Sequence, residues 1–483
     1  MEPQAEPPSA VGTPPAIDPV GPSLQSTPKG GFILGFALTG LVTIVLSSMT
    51  TRVSDIPSTA EFGLLELLPW GYWVGLSMMG LAVFLAVRSG RSGLFAVTGT
   101  LLFAMFAGTP VLFEPNPPVW DAYTHFAAAQ TVGFNGRLPG AEVVGYSTNW
   151  PGFFLLTWIF SDATNATPLG MLSLFPFLTS ALTFLALFVF LRSLFDPTTA
   201  AIGSVLGSLL NAWAQFHLSP QSIGLVLALL VLGTIWRRRT PFRIASAVLF
   251  VGLVVTHPTS TILILGIVIV DVTLTYALRL RRSPKSPLGG RERAFAYSPA
   301  LPFVAVWLAW LFFQATGSSQ VAETAILTQM SSILQVPEQT LNLATARSVE
   351  NIFIWGPLIR LAGLVSFGII GIVGLIVLSR TRASRRLSQF LWAALISLVV
   401  FTLTDILLQS GLFFDRAFML FALLTPTIGV AGIAALRLRM PMRAIILAVF
   451  LVISMAMAST LYYQEAFYFV SAESVAVSEF LEA

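Results

Sequence analysis

The stretch Glu114–Pro151, EPNPPVWDAYTHFAAAQTVGFNGRLPGAEVVGYSTNWP, is the longest polar interval between the early hydrophobic runs, and its reading decides what lies on either side. It carries Asp121 and His125 four residues apart, a spacing that puts both side chains on one face of a helix. Trp120 and Trp150 flank them, as tryptophans do at a membrane–water boundary. Pro117-Pro118 before VWDAYTHFAAAQTV and Gly133 after it predict a helix that starts at the prolines and stops at the glycine. It is too short and polar to span a bilayer, so it is expected to lie along the interface.

Outward from this interval the chain is apolar in blocks. Over its 483 residues 55% are hydrophobic and only 10% charged, against about a quarter charged in soluble domains. Apolar runs fall at 31–50, 64–87, 93–113, 168–191, 198–216, 219–236, 244–257, 258–278, 296–315, 352–378, 388–409, 412–436 and 444–461. An all-α polytopic membrane protein with about 13 transmembrane helices is the expected fold, since about 20 apolar residues cross the hydrocarbon. His257-Pro258 splits two of the runs, because proline lacks a backbone donor and favours a helix start.

The basic residues test that count. All but five of the 26 Lys and Arg fall between alternate runs, in clusters such as Arg237–Arg239, Arg279–Arg293 and Arg380–Arg386. Lys and Arg concentrate on the cytoplasmic side, which places the N-terminus inside and the C-terminus outside. The exceptions are Arg52, Arg137, Arg347, Arg360 and Arg416. This distribution also accounts for the basic balance without a nucleic-acid partner. Residues 1–30, rich in Pro, Ser, Gly and Ala, read as a disordered cytoplasmic tail and not a signal peptide, for they lack a charged start. Outer loops are expected at 114–167 and 316–351, the second with a surface helix in AETAILTQMSSIL, and residues 462–483 as a short outer tail.

With this topology the polar residues collect at the outer face. Asp121 there could take a proton from a hydroxyl, with His125 orienting it or contacting a phosphate, although a solvated polar face would hold the same pair. In QFHLSPQ, Ser219 caps and Pro220 starts a helix, which leaves His217 and Gln221 as candidate ligand contacts. His257 sits at another outer turn, where helix N-terminal amides can receive an anion. Arg360 and Arg416 lie inside apolar runs and could hold a lipid phosphate, or Asp415 could pair with an arginine in a purely structural role. Asp271 and Asp405 read as interfacial, and Asn165-Ala166-Thr167 fits a glycosylation acceptor. The chain has no cysteine, and no HxH or HExxH spacing supports a metal site, so no cofactor is expected and a divalent metal has no motif behind it.

The loop WDAYTHFAAAQTVGFNGRLPG, the tryptophan-proline start of NWPGFFLLTWIF, and the outer-turn segments SPQSIGLVLALL and THPTS resemble the GT-C superfamily of membrane glycosyltransferases, especially prokaryotic and archaeal members. The resemblance covers most of 93–461. It implies a multi-pass enzyme of the cell membrane that takes a sugar from a polyprenyl-phosphate lipid to a glycan or protein acceptor, with Asp121 at the catalytic-base position. The chain departs from the family in placing this loop after the third helix and in lacking Asp-x-Asp and WWDxG, so transfer of a monosaccharide fits better than transfer of a preassembled oligosaccharide. A transporter or lipid flippase, and a noncatalytic membrane scaffold, are the alternatives.

Overall fold

A computed structural model describes residues 29–138, 145–211, 214–237, 239–282, 299–318, 320, 355–381, 385–408, 413–436, 438–462 and 469–471. Glu142, Arg347, the surface helix expected within 316–351, the tail before residue 29 and most of 462–483 lie outside the described residues. Helices dominate what is described, with no strand among those residues.

Each apolar run of the sequence contains a helix. Eight are long and apolar enough to cross a membrane. These are α1 (Gly30–Thr50), α2 (Trp70–Arg88), α8 (Pro168–Leu194), α12 (Pro258–Arg282), α14 (Trp355–Arg380), α15 (Arg385–Leu408), α16 (Phe414–Ala435) and α17 (Met440–Ser459). Five shorter apolar helices accompany them: α3 (Ser92–Ala107), α9 (Pro197–Leu210), α10 (Pro220–Trp236), α11 (Thr240–Thr256) and α13 (Ala300–Phe313). The chain is a helical membrane protein.

Prolines and small polar caps set the starts. Pro168, Pro197 and Pro220 each open a helix behind Thr167, Asp196 and Ser219, whose side chains accept from backbone N–H groups of the first turn. Two helices form the middle of the bundle: α16 is 78% buried over its apolar window and α8 61%, whereas α17 is 22% buried. α16 packs on α9, α14 and α15, and α8 on α3, α9 and α10, so the outer ring exposes leucine, isoleucine and valine toward lipid.

Several expectations need correction. The run 93–113 is two helices, α3 and α4 (Thr109–Phe113), broken at Gly108 where Pro110 starts afresh. The run 198–216 ends as a helix at Leu210, and residues 214–219 are non-helical. The helix α5 (Trp120–Asn135) runs through Gly133 and stops at Gly136, which takes the left-handed conformation at φ 61°. Gly133 is glycine for a different reason: a β-carbon there would meet the Trp158 indole at 2.1 Å.

Within 114–167 two further helices appear, α6 (Tyr146–Asn149) and α7 (Gly152–Thr164). α7 was not anticipated. It packs on α5 through Phe153 and Phe154, which meet the Ala122, Phe126, Ala129 and Val132 stripe at helical spacing. The turn between α7 and α8 uses the acceptor-like triplet structurally, with Asn165 in the left-handed region at φ 50° and the Thr167 hydroxyl accepting from the Gly170 N–H.

Asp271 is not near a helix end. It lies midway along α12, where Arg386 of α15 grips it with Nη1–Oδ1 at 2.8 Å and Nη2–Oδ2 at 2.6 Å. The Gln389 amide donates to the Asp271 carbonyl at 3.2 Å and also to Thr275. Asp405 is likewise buried, at 3% exposure.

Candidate functional site

The site is built around the first turn of α5. Val119, just before it, holds φ at 75°, a region that costs a β-branched residue on the order of 1–3 kcal/mol. This turn of the backbone launches Trp120 and Asp121 away from the apolar stripe that α5 lays on α7. Asp121 is therefore over half exposed, at 56%.

Two imidazoles meet its carboxylate. His125 Nε2 lies 3.1 Å from Asp121 Oδ2, and His217 Nε2 lies 3.8 Å from the same oxygen. The His125 ring is held edge-on by Phe153 and Phe154 of α7. His217 arrives on the non-helical segment before α10, where the Thr179 hydroxyl of α8 donates to the Phe216 carbonyl at 2.6 Å. The hydrogen bond from His125, with the His217 imidazole 3.8 Å away, holds the Asp121 carboxyl well below the usual carboxylate range. Tyr123, two residues on, donates to the Pro117 carbonyl at 3.0 Å. Burial and the Glu114 carboxylate push its phenol up to about 12, so it acts as a donor and not a base.

Asp121 opens onto a cavity of about 490 Å³. Five expected residues from four parts of the chain line it: Asp121, His217 with Gln221, Arg360 and Asp415. Arg360 of α14 is braced by Thr460, with Nε at 3.2 Å from its hydroxyl and Nη2 at 2.7 Å from its carbonyl. Gln221 is 4% exposed, and its Oε1 is buried with no hydrogen-bond partner. Asp415 makes no ion pair or hydrogen bond among the described residues, so the structural Asp415–arginine partnership is not present there. Pro176 inside α8 deprives the Leu172 carbonyl of its helical donor, and both residues line the cavity.

His257 and Arg416 stand behind this wall. The His257 Nδ1 accepts from the Ser260 N–H at 3.2 Å and lies 2.8 Å from the Ser260 hydroxyl, which leaves the proton of the neutral ring on Nε2. A β-carbon on Gly224 would sit 2.7 Å from His257 Cβ, so α10 presses directly on the turn. Arg416 and His125 are both within electrostatic reach of His257, and Arg416 and Asp121 within reach of Tyr146. The three histidines thus belong to one neighbourhood, two on Asp121 and one behind it.

Two polar lining residues had no place among the sequence candidates. Gln215 lies in the same QFHLSPQ segment as His217, and that shared position was the available signal. Tyr462 follows the last helix, and its hydroxyl donates to the Phe106 carbonyl. Val470, fully buried, accepts from the Asn116 amide at 3.1 Å, so the chain after α17 folds back on the site. Among the described residues no group of three or more His, Asp or Glu is arranged to hold a metal ion.

The fold therefore defines a class, a helical membrane protein with one acid–imidazole cluster opening on a cavity. No family model matches the sequence, and no curated protein matches it.

Proposed function

We propose that this protein is a membrane glycosyltransferase that moves one sugar from a polyprenyl-phosphate-linked donor to an acceptor on the outer face of the cell membrane. The observation that carries the reading is Asp121: a carboxylate held by two imidazoles at one oxygen, facing a cavity that also holds an arginine. Both imidazoles approach Oδ2, which leaves Oδ1 to accept a hydrogen bond from the acceptor hydroxyl. The acceptor hydroxyl oxygen attacks the anomeric carbon as its proton passes to Oδ1, the bond to the lipid phosphate breaks, and the phosphate leaves with the electron pair. Arg360 balances the charge that grows on the departing phosphate.

The depressed carboxyl bears on this step. A base held far below working pH takes a proton weakly, so efficient transfer requires the proton to move on. Imidazole is the side chain that exchanges protons near neutrality, and His217, whose Nε2 lies 3.8 Å from the carboxylate and makes no hydrogen bond among the described residues, is in place to receive it while His125 holds the acid. Gln221 and Asp415 supply polar groups for sugar hydroxyls, while His257 and Arg416 back the wall.

The topology belongs to this reading. Thirteen crossings, with the N-terminus inside and the C-terminus outside, put the basic clusters in the cytoplasm and the cavity outside. A noncatalytic scaffold gives no reason for a cavity at Asp121, and a transporter gives none for two histidines on one carboxylate at the bundle's end. Labelled polyprenyl-phosphate sugars supplied to membranes test the proposal. Transfer by the native chain that falls about a hundredfold or more in Asp121→Asn is the expected result. Transfer that survives the substitution moves the base elsewhere, and no transfer from any donor removes the transferase reading.

A further inference from the structure

The end of the bundle away from Asp121 holds a second cavity, of about 670 Å³. Two helices connect the ends. Along α14, Arg360 lines the first cavity and Ser379 the second, 19 residues or about 29 Å apart at helical rise. Along α12, His257 precedes the first residue and Thr275 lines the second cavity.

This cavity is amphipathic. Arg385 and Arg386 line it, and no acid does among the described residues. Asp271 beside it is gripped by Arg386, which cancels one of the two charges and leaves the other, Arg385, on the exposed first turn of α15. The hydroxyls of Ser379 and Ser388, 2.5 Å from each other, answer the protein itself, Ser379 donating to the Leu375 carbonyl at 2.7 Å and accepting from the Trp392 indole at 3.1 Å. Beyond Trp392 the lining turns apolar at Ile396, 38% exposed, which continues into Val399, Val400 and Leu403 on the lipid-facing side of α15. A free anion would use only the first half of such a groove.

We propose that this groove binds an anionic phospholipid, its phosphate held by Arg385 and an acyl chain lying along Ile396 and the exposed face of α15. A guanidinium suits a phosphate, a basic pocket between membrane helices suits an acidic head group, and the apolar continuation selects lipid over phosphate ion. The proposal stands apart from the transferase reading, since none of these residues lines the Asp121 cavity.

The test is native mass spectrometry of the full chain in detergent, titrated with phosphatidylglycerol or with phosphatidylcholine of the same acyl chains. The expected result is one phosphatidylglycerol retained several-fold more tightly than phosphatidylcholine, weakened about fivefold in Arg385→Gln and kept in Arg385→Lys. The melting temperature of Arg385→Gln without lipid should match the native chain, because the side chain is exposed. Equal retention of the two lipids, undiminished retention in Arg385→Gln, or displacement of phosphatidylglycerol by millimolar inorganic phosphate would each overturn it.

Discussion

Asp121 and Asp271 are both acids on helices of the same bundle, yet their surroundings differ in kind. Asp271 has both oxygens taken by one forked guanidinium, an amide on its carbonyl, and 12% of its side chain exposed. Asp121 has two imidazoles on one oxygen and the other side open to a cavity. A charge inside a membrane protein is costly, so one that is fully answered by neighbours is explained by the fold. One that is half answered and faces space is explained by what enters that space.

The contrast breaks first at Asp121. Asp121→Asn is expected to lower sugar transfer by about a hundredfold or more while leaving the melting temperature within a degree or two, since the exposed side chain carries little stability. Arg386→Met should do the reverse. It strands the buried Asp271 carboxylate and costs on the order of 2 kcal/mol, less than a fully buried pair because Arg386 is two-fifths exposed, as thermal unfolding in detergent would report. Pairing it with Asp271→Leu should recover most of the loss, because nothing charged is then left behind.

A finer test separates the two histidines from the acid they hold. The Asp121 carboxyl is depressed, so it stays ionised above its lowered value and would protonate only as pH falls through that value. The native pH–rate profile should therefore carry no Asp121 limb down to about pH 4. Removing His125 and His217 together, as glutamines, lets the carboxyl return upward, and an acid limb should enter below about pH 5, with transfer reduced roughly tenfold. An unchanged profile would detach the histidines from the acid.

The smallest expected effect is at Gly224→Ala. The new methyl meets the His257 Cβ at 2.7 Å and must push the side chain, so transfer should fall a few-fold with about 1 kcal/mol lost in stability. Loss of stability alone, with kcat intact, would make His257 a packing residue.

Much of the fold was legible along the chain because the bilayer imposes local rules. Every apolar run contained a helix, and Pro168, Pro197, Pro220 and Pro258 opened helices where their missing N–H costs nothing. The failures were local too. Gly133 passes for a stop signal in sequence, but the approach of Trp158 determines it, and that contact joins residues 25 positions apart. α7 was hidden because a short apolar segment after a long polar one has no length that marks it as a span.

What the sequence by itself determined is the helical membrane character, the breaks between helices, and the residue types capable of acid–base and phosphate chemistry, since hydropathy and backbone restrictions act within a few residues. Only the tertiary structure decided that Asp121, His217, Gln221, Arg360 and Asp415 line one cavity, and that Asp271 is answered by Arg386. These contacts span up to some 300 residues of chain, and they exist only because burying the apolar faces of α8 and α16 draws the ends of their neighbours together.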